Sequence, residues 1–353
     1  MKLTRKGAVR EAAGLFDVSH MGCWDVRGPE AASFLNLVMV NDISTLDVGA
    51  SQYSALFDVD GIPLDDLLVY RMAEEHYLVV VNASNNDKDW AWVNGVLNGE
   101  VMIDPQRPWV RWQGEGVELR DLRQPSVGED MRNELALQGD ASEGILLALG
   151  GRDEDLAKLK GLSWSGITQV TLGGFDLIIS RTGYTGERMA YELFVHPDRI
   201  VDLWETLLDV GEPFGIKPCG LAARDSLRIE AGLPLYGHEM AGPLNLTMGD
   251  AGFGTYAKTY KPFFIGRQAF LEKELERDAE VVRFRVPEKG QPRPHQLDPV
   301  VEPNRGKVIG VVTSCAIDTE GYLLGQAYID EKYTSRGTEL AVLVTPRREP
   351  KPR

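Results

Sequence analysis

The sequence is poor in cysteine, with only Cys23, Cys219 and Cys315 among its 353 residues. These three are spread over the whole chain and form no CxxC pair, which argues against a disulfide framework or a structural zinc site. This usage fits a reducing compartment, and we expect a cytoplasmic location. No uninterrupted apolar run reaches the roughly 20 residues that a membrane-spanning helix needs. The first residues are basic but no apolar segment follows them, so they do not form a secretory signal.

Positive charge is also scarce, because 38 lysines and arginines stand against 53 acidic residues and leave a formal net charge of −15. We therefore expect neither a nucleic acid nor a membrane surface as a partner. The sequence has no GxGxxG after a strand, no P-loop, no HExxH and no GxSxG motif. Its five histidines are isolated from one another, so no metal site is expected. Carboxylates, arginines and tyrosines remain as the candidates for chemistry.

The composition is that of a globular protein, with 43% hydrophobic and 26% charged residues in a chain long enough for two or three domains. Strand and helix patterns alternate through the first three quarters of the chain, which predicts an α+β fold. After about residue 275 the pattern changes to short alternating strands around a gap at 287–305 that is rich in proline, glycine and charge. We predict a separate C-terminal β domain there, a small barrel or sandwich.

One predicted strand contains two adjacent aspartates, Asp65 and Asp66. Side chains alternate between the faces of a strand, so Asp65 lies on the side of Leu67 and Val69, and Asp66 lies on the opposite side with Tyr70. Both faces are otherwise apolar, and a buried carboxylate is costly unless it is hydrogen-bonded or paired. Either acid could accept hydrogen bonds from a neighbouring turn or bind an amine-bearing ligand. At most one of the two should reach a given pocket.

A second candidate is Glu192, in a predicted strand that follows a glycine-rich loop at 182–187. Its side chain is expected on the opposite face from Tyr191 and Leu193. One interpretation is a charge on an edge strand. The other is a bidentate acceptor for a flat ring that offers two adjacent N–H donors. The two glycines around Tyr184 permit a tight loop that presents this aromatic side chain.

A third cluster lies in a predicted helix at 220–232, where Arg224 and Arg228 are four residues apart on one face. Asp225 and Glu230 could pair with these arginines on the surface, and the pattern alone favours that interpretation. Neither arginine by itself identifies a ligand site.

Four segments together resemble the aminomethyltransferase family, the T-protein of the glycine cleavage system. They are the stretches at 14–22 (GLFDVSHMG), 65–70 (DDLLVY), 182–187 (TGYTGE) and 220–232 (GLAARDSLRIEAG). The resemblance runs from about residue 8 to about residue 344. It implies a three-lobed, cloverleaf-like fold. The folate-binding domain would span 1–274, with its second lobe inserted at about 45–135, and a C-terminal β-barrel-like domain would span 275–353.

The resemblance also implies the site, with tetrahydrofolate as the bound cofactor. Asp65 would lie close to the folate nitrogens that take the one-carbon unit and would be the catalytic acid, while Asp66 would hold the scaffold. Glu192 would bind the edge of the pterin ring, and Arg224 would contact the ligand. Four aromatic residues would line the pocket: Tyr53, Tyr70, Tyr184 and Tyr236.

The implied reaction moves a one-carbon unit from an aminomethyl-lipoyl arm of the H-protein to tetrahydrofolate, with release of ammonia. One alternative keeps the folate site but takes a methyl group from a small methylated compound, and another is a non-catalytic folate-binding accessory protein.

Three differences from the family pattern bear on that choice. The sequence begins later than is usual, it lacks the usual Pro-Phe tail at 345–353, and its loop at 187–192 is one residue longer. The late start and the longer loop favour the small-molecule donor over the standard enzyme. Without a bulge, the extra residue would turn Glu192 to the other face of its strand.

Overall fold

A computed structural model describes residues 5–345, so nearly all of the C-terminal tail lies outside the described residues. The strands in chain order are β1 (Gly14–Asp17), β2 (Gly22–Arg27), β3 (Ser51–Phe57), β4 (Pro63–Ala73), β5 (His76–Val81), β6 (Glu118–Asp121), β7 (Asn133–Gln138), β8 (Ile167–Leu172), β9 (Phe175–Ser180), β10 (Ala190–Val195), β11 (Lys217–Cys219), β12 (Ala279–Arg285), β13 (Pro299–Val301), β14 (Val308–Ile317), β15 (Leu323–Asp330) and β16 (Ala341–Val342).

The α-helices are α1 (Arg5–Glu11), α2 (Ala31–Val38), α3 (Asn86–Leu97), α4 (Ser142–Ala148), α5 (Asp153–Lys160), α6 (Pro197–Gly211), α7 (Leu221–Ala231) and α8 (Arg267–Glu276). Helices and strands alternate up to α8, and only strands and one short 3₁₀ turn follow it in the described part of the chain. This confirms the predicted α+β class. None of the helices within residues 5–345 is long and apolar enough to cross a membrane.

The first sheet has the strand order β11-β1-β7-β10-β9-β8. Its β1–β11 pair is parallel, and the other neighbours are antiparallel. One face packs on α4, α5 and α6 through an apolar core that includes Tyr191 and Leu193. Because side chains alternate along β10, Glu192 faces away from this core, as the sequence predicts.

The second sheet is antiparallel, with the order β3-β4-β5-β2-β6. One of its faces packs against α2 and α3 through a core that includes Trp24, Phe34, Leu67 and Val69. Its strands lie between residues 22 and 121, whereas the inserted lobe is predicted at about 45–135. The division into lobes stays a prediction.

The third sheet has the order β12-β15-β14-β13-β16 and its own small core. The short β13 lies inside the stretch at 287–305 that the sequence suggests is an irregular gap. Helix α7 connects this sheet to the rest of the chain, since Ser226 donates a hydrogen bond of 2.8 Å to the carbonyl oxygen of Ile317.

The first and second sheets meet through the faces that their helices leave uncovered. Tyr70 of β4 packs edge-on against Phe194 of β10, with ring centroids 5.9 Å apart, and Leu78, Val80 and Ile178 belong to the same buried cluster. Polar side chains from both sheets lie next to this apolar contact. The interface between the sheets is therefore the place to look for a site.

Gly266, just before α8, packs closely against the turn between β3 and β4. Its φ is +80°, and a Cβ atom there would lie 2.3 Å from the carbonyl oxygen of Asp58. Gly174 has nearly the same φ, +78°, but a Cβ atom there would meet nothing within 4 Å. Gly174→Ala should therefore cost about 1–2 kcal/mol, the usual penalty of a left-handed residue. Gly266→Ala should cost about 1–3 kcal/mol more because of the clash.

Urea unfolding of both variants at equal m values measures the difference. Equal losses of stability would show that the contact between Gly266 and Asp58 is not as tight as the structure has it.

Candidate functional site

Asp65 lies on the face of β4 that points into the core of the second sheet, and it is completely buried. Its carboxylate accepts hydrogen bonds from the backbone N–H of Asn82 at 2.8 Å, from Asn82 Nδ2 at 2.8 Å and from Asn85 Nδ2 at 2.6 Å. Burial raises the pKa of Asp65, although these amide donors oppose the rise. Such a set of donors marks a carboxylate that the scaffold itself satisfies.

Asp66 lies on the opposite face, which β4 turns toward the first sheet. Its Oδ2 accepts from the Tyr53 hydroxyl at 2.9 Å and its Oδ1 accepts from Asn82 Nδ2 at 2.9 Å. Burial, followed by the charge of neighbouring Asp65, raises the pKa of Asp66 to about 7. The alternation of the pair agrees with the prediction, but the roles of the two faces are reversed. The expected orientation, with Asp65 toward the pocket and Asp66 in the scaffold, is wrong, because the face with Leu67 and Val69 is the core face.

A chain of amides and one lysine connects the aspartates to Tyr236. Asn85 Oδ1 accepts from Lys88 Nζ at 3.2 Å, and Lys88 also donates to the Tyr236 hydroxyl at 3.0 Å. The ammonium of Lys88 lies 4.5 Å from the centroid of the Tyr236 ring. The sequence analysis did not identify these amides or Lys88, although they follow strand β5 directly in the segment NASNNDK at 82–88.

Glu192 is buried against the hydroxyls of three residues. Its Oε2 accepts from Tyr70 at 2.8 Å, from Ser180 Oγ at 3.4 Å and from the Thr182 hydroxyl. Strand β10 pairs with β7 and β9 without a register shift. The extra residue of the loop is therefore accommodated before β10 begins, and Glu192 keeps the face that the sequence predicts.

Arg224 lies one turn into α7, beside the ring of Tyr184, with 5.0 Å between the guanidinium carbon and the ring centroid. Its Nη1 is buried and has no hydrogen-bond partner within residues 5–345. Tyr184 itself is anchored, because its hydroxyl donates to the carbonyl oxygen of Pro234. Arg71, Arg132 and Arg181 also have a buried Nε without a partner, but the Nη1 of Arg224 lies next to the other charged groups of the interface.

Glu134 is a buried acid beside Glu192 that the sequence analysis missed. It is 4% exposed, and its Oε2 has no hydrogen-bond partner in the described part of the chain. Burial, followed by the charge of Glu192, raises its pKa well above the usual range, and the positive charge of Arg224 opposes the rise. An acid in the otherwise apolar strand ELALQ is the signal that could have found it.

Three contacts thus lie around one interface: Asp66 with Tyr53, Glu192 with Tyr70, and Arg224 with Tyr184. All of these residues except Asp66 are predicted site residues. Electrostatic interactions of Tyr184 with both Asp66 and Arg224 connect two of these contacts. A separate cleft with a volume of about 640 Å³ lies beside Trp112 and Phe263 and is lined by none of the predicted site residues.

Comparison with known proteins adds independent evidence. A family profile described as the GCVT N-terminal domain matches residues 5–261. The aminomethyltransferase of Bacillus cytotoxicus is 38% identical over 343 residues, which cover 97% of this chain and 85% of the relative. That of Bacillus subtilis is 39% identical over 337 residues, covering 95% of this chain and 84% of the relative.

A solved structure is also similar. The crystal structure of glycine cleavage system aminomethyltransferase T from Bartonella henselae matches with a TM-score of 0.78 at 29% identity, over 96% of this chain and 84% of the other. The profile and this structure agree on one class of protein, a transferase with the glycine cleavage T-protein fold. The chain belongs to the aminomethyltransferase family.

This membership confirms the family resemblance, the fold class and the expectation of a transferase. It also favours aminomethyl transfer over the two alternatives, a methyltransferase for small compounds and a non-catalytic folate-binding protein. The roles of individual site residues and the cytoplasmic location stay predictions.

The raised pKa of Asp66 predicts a pH-dependent difference in stability between the wild type and Asp66→Asn. The pKa is near 3.8 in the unfolded chain and about 7 in the folded one, so the folded state binds the proton more tightly. The stabilisation from this proton is complete below about pH 4 and is lost as the pH rises to about 7. Over that window the wild type should lose on the order of 4 kcal/mol relative to the variant.

Urea unfolding of both proteins across this pH range provides the test. Parallel stability curves would contradict the raised pKa of Asp66.

Proposed function

We propose that this chain is a tetrahydrofolate-dependent aminomethyltransferase. It moves a one-carbon unit from an aminomethyl group on a lipoyl carrier protein to tetrahydrofolate and releases ammonia. The observation that carries the proposal is the convergence of Asp66, Glu192 and Arg224 at one interface, where Arg224 Nη1 and Glu134 Oε2 have no hydrogen-bond partner among the described residues. Membership in the aminomethyltransferase family supports the same reaction.

The residues present fit the pterin ring of a folate. Glu192 is oriented by the hydroxyls on its Oε2, which leaves its Oε1 as an acceptor for the N–H donors on one edge of the ring. The unpartnered Nη1 of Arg224 is a donor for a ring carbonyl or nitrogen. Tyr184 and Tyr53 supply aromatic walls, and Tyr53 is itself packed against Tyr256 with centroids 4.9 Å apart.

We assign the catalytic role to Asp66 instead of Asp65. Transfer of an aminomethyl group develops positive charge on the transferred carbon, and a carboxylate at that point stabilises it. With a pKa of about 7, Asp66 can also accept or return a proton near neutral pH. Asp65 lies on the other face of β4 and accepts a hydrogen bond from Asn82, whose Nδ2 donates to both acids.

The donor in this proposal is an aminomethyl-lipoyl group carried by a protein of the H-protein type. Such an arm would have to bring its terminal carbon to Asp66. A small methylated compound as donor would need no protein partner, so the two donors make opposite predictions about dependence on a carrier.

A binding and turnover comparison tests the acid assignment. Asp66→Asn should lower kcat by about 10²–10⁴-fold, the range for loss of a positioned acid–base group, because the charge is removed where it is needed. The Kd for tetrahydrofolate, measured by calorimetry, should change by less than about threefold, which is under 1 kcal/mol. Glu192→Gln should instead raise the Kd by at least about tenfold, because a charged acceptor for the ring edge is lost.

Asp65→Asn is the matched control for Asp66→Asn, since it removes the neighbouring charge on the core side. If Asp65→Asn lowers kcat as strongly while Asp66→Asn does not, Asp66 is not the catalytic acid. A wild type that binds no tetrahydrofolate would reject the proposed function altogether.

The identity of the donor is tested by following the one-carbon derivatives formed from tetrahydrofolate together with ammonia release, because methyl transfer from a sulfonium compound releases a thioether and no ammonia. With aminomethyl-lipoylated H-protein the reaction should proceed and depend on the lipoyl group. With unlipoylated H-protein and a set of small methylated amines and sulfonium compounds it should not. Turnover with any of these compounds in the absence of H-protein would favour the methyltransferase alternative.

A further inference from the structure

Two acids lie side by side at the interface, and within residues 5–345 only one of them has hydrogen-bond donors on its carboxylate. Glu134 on β7 is opposite Phe194, and Glu192 on β10 is opposite Ala136, so both acids project from the same face one diagonal step apart. Glu192 accepts from three hydroxyls, including that of Tyr70. Glu134 is 4% exposed, and no group within residues 5–345 donates to its Oε2.

These different surroundings assign different charge states to the two acids. Donors around Glu192 stabilise a carboxylate, whereas a buried carboxyl without donors is most stable as the neutral acid. Burial and the charge of Glu192 raise the pKa of Glu134, in agreement with this assignment. The charges of Glu192 and Arg224 shift the pKa of Glu134. The charge of Glu134 in turn raises the pKa values of Tyr70 and Cys23.

A purely structural role does not explain Glu134. It has no ion pair within the described residues, and its strand neighbours on the other face, Leu135 and Leu137, are ordinary core residues. An apolar side chain of the same length would occupy the position without the cost of burying an acid. Glu134 lies next to Glu192, and the charge of Arg224 influences its pKa. This position points to a ligand.

We propose that Glu134 is a further binding residue of the folate site, which donates a hydrogen bond from its neutral carboxyl group to an acceptor atom of the ring. Together the three side chains would present an acceptor at Glu192 and donors at Glu134 and Arg224. This pattern complements an amino-oxo-pyrimidine edge, which carries N–H donors beside a ring nitrogen and a carbonyl oxygen. The inference rests on the proposed function, because it concerns the same site.

The test compares Glu134→Gln with Glu134→Met. Glutamine keeps a neutral donor of the same shape, whereas methionine keeps the length but donates nothing. We expect the Kd for tetrahydrofolate to stay within about threefold for Glu134→Gln and to rise at least about tenfold for Glu134→Met, because a ligand acceptor is left unpaired. Urea unfolding without ligand should show Glu134→Met to be at least as stable as the wild type.

The pH dependence of the Kd supplies a readout that a structural role would not affect. As the pH rises and Glu134 loses its proton, the donor is lost, so binding to the wild type should weaken. Binding to Glu134→Gln should lack that component. If Glu134→Met binds tetrahydrofolate as tightly as the wild type, or is less stable without ligand, the inference is wrong while the proposed function stands. If the wild type itself does not bind, the proposed function fails and the inference falls with it.

Discussion

The buried ion pair between Arg228 and Glu239 is the constraint on which the geometry of the interface depends. Arg228 is 1% exposed and donates to Glu239 at 2.7 Å, to Ser314 Oγ at 2.7 Å and to Gln326 Oε1 at 3.0 Å. A charge removed from water is costly unless it is paired and hydrogen-bonded, and loss of one partner would leave the other uncompensated. Helix α7 is thereby fixed to the third sheet, and Arg224, one turn earlier, is held beside Tyr184 while its Nη1 has no hydrogen-bond partner within residues 5–345.

Hydrogen-bond partners are distributed unevenly among the buried charged groups of this protein. Asp65 accepts hydrogen bonds from amide donors, and Arg228 donates to several acceptors. Glu134 and Arg224 each keep a buried polar atom that no described residue satisfies. Unsatisfied buried groups cost stability, and a ligand bound as proposed would offset that cost by supplying partners for both residues.

Sequence periodicity predicts which side chains share a face, but not what that face meets. It places Glu192 correctly because Tyr191 and Leu193 mark the core side of β10. It separates Asp65 from Asp66 correctly too, yet both faces of β4 are apolar, and only the packing of one sheet on another decides between them. The unpartnered atom of Arg224 depends on contacts between segments far apart in the chain, so no local pattern reveals it.

The parallel pairing of β1 with β11 has a consequence for biosynthesis. Residues 14–17 emerge early, but their partners are residues 133–138 and 217–219. At about 5–20 residues per second, β1 waits on the order of 10–40 seconds for β11 to be translated. All strands of the second sheet are made in that interval, because they end at Asp121. All five strands of the sheet that carries Asp66 are therefore translated before Glu192 and Arg224.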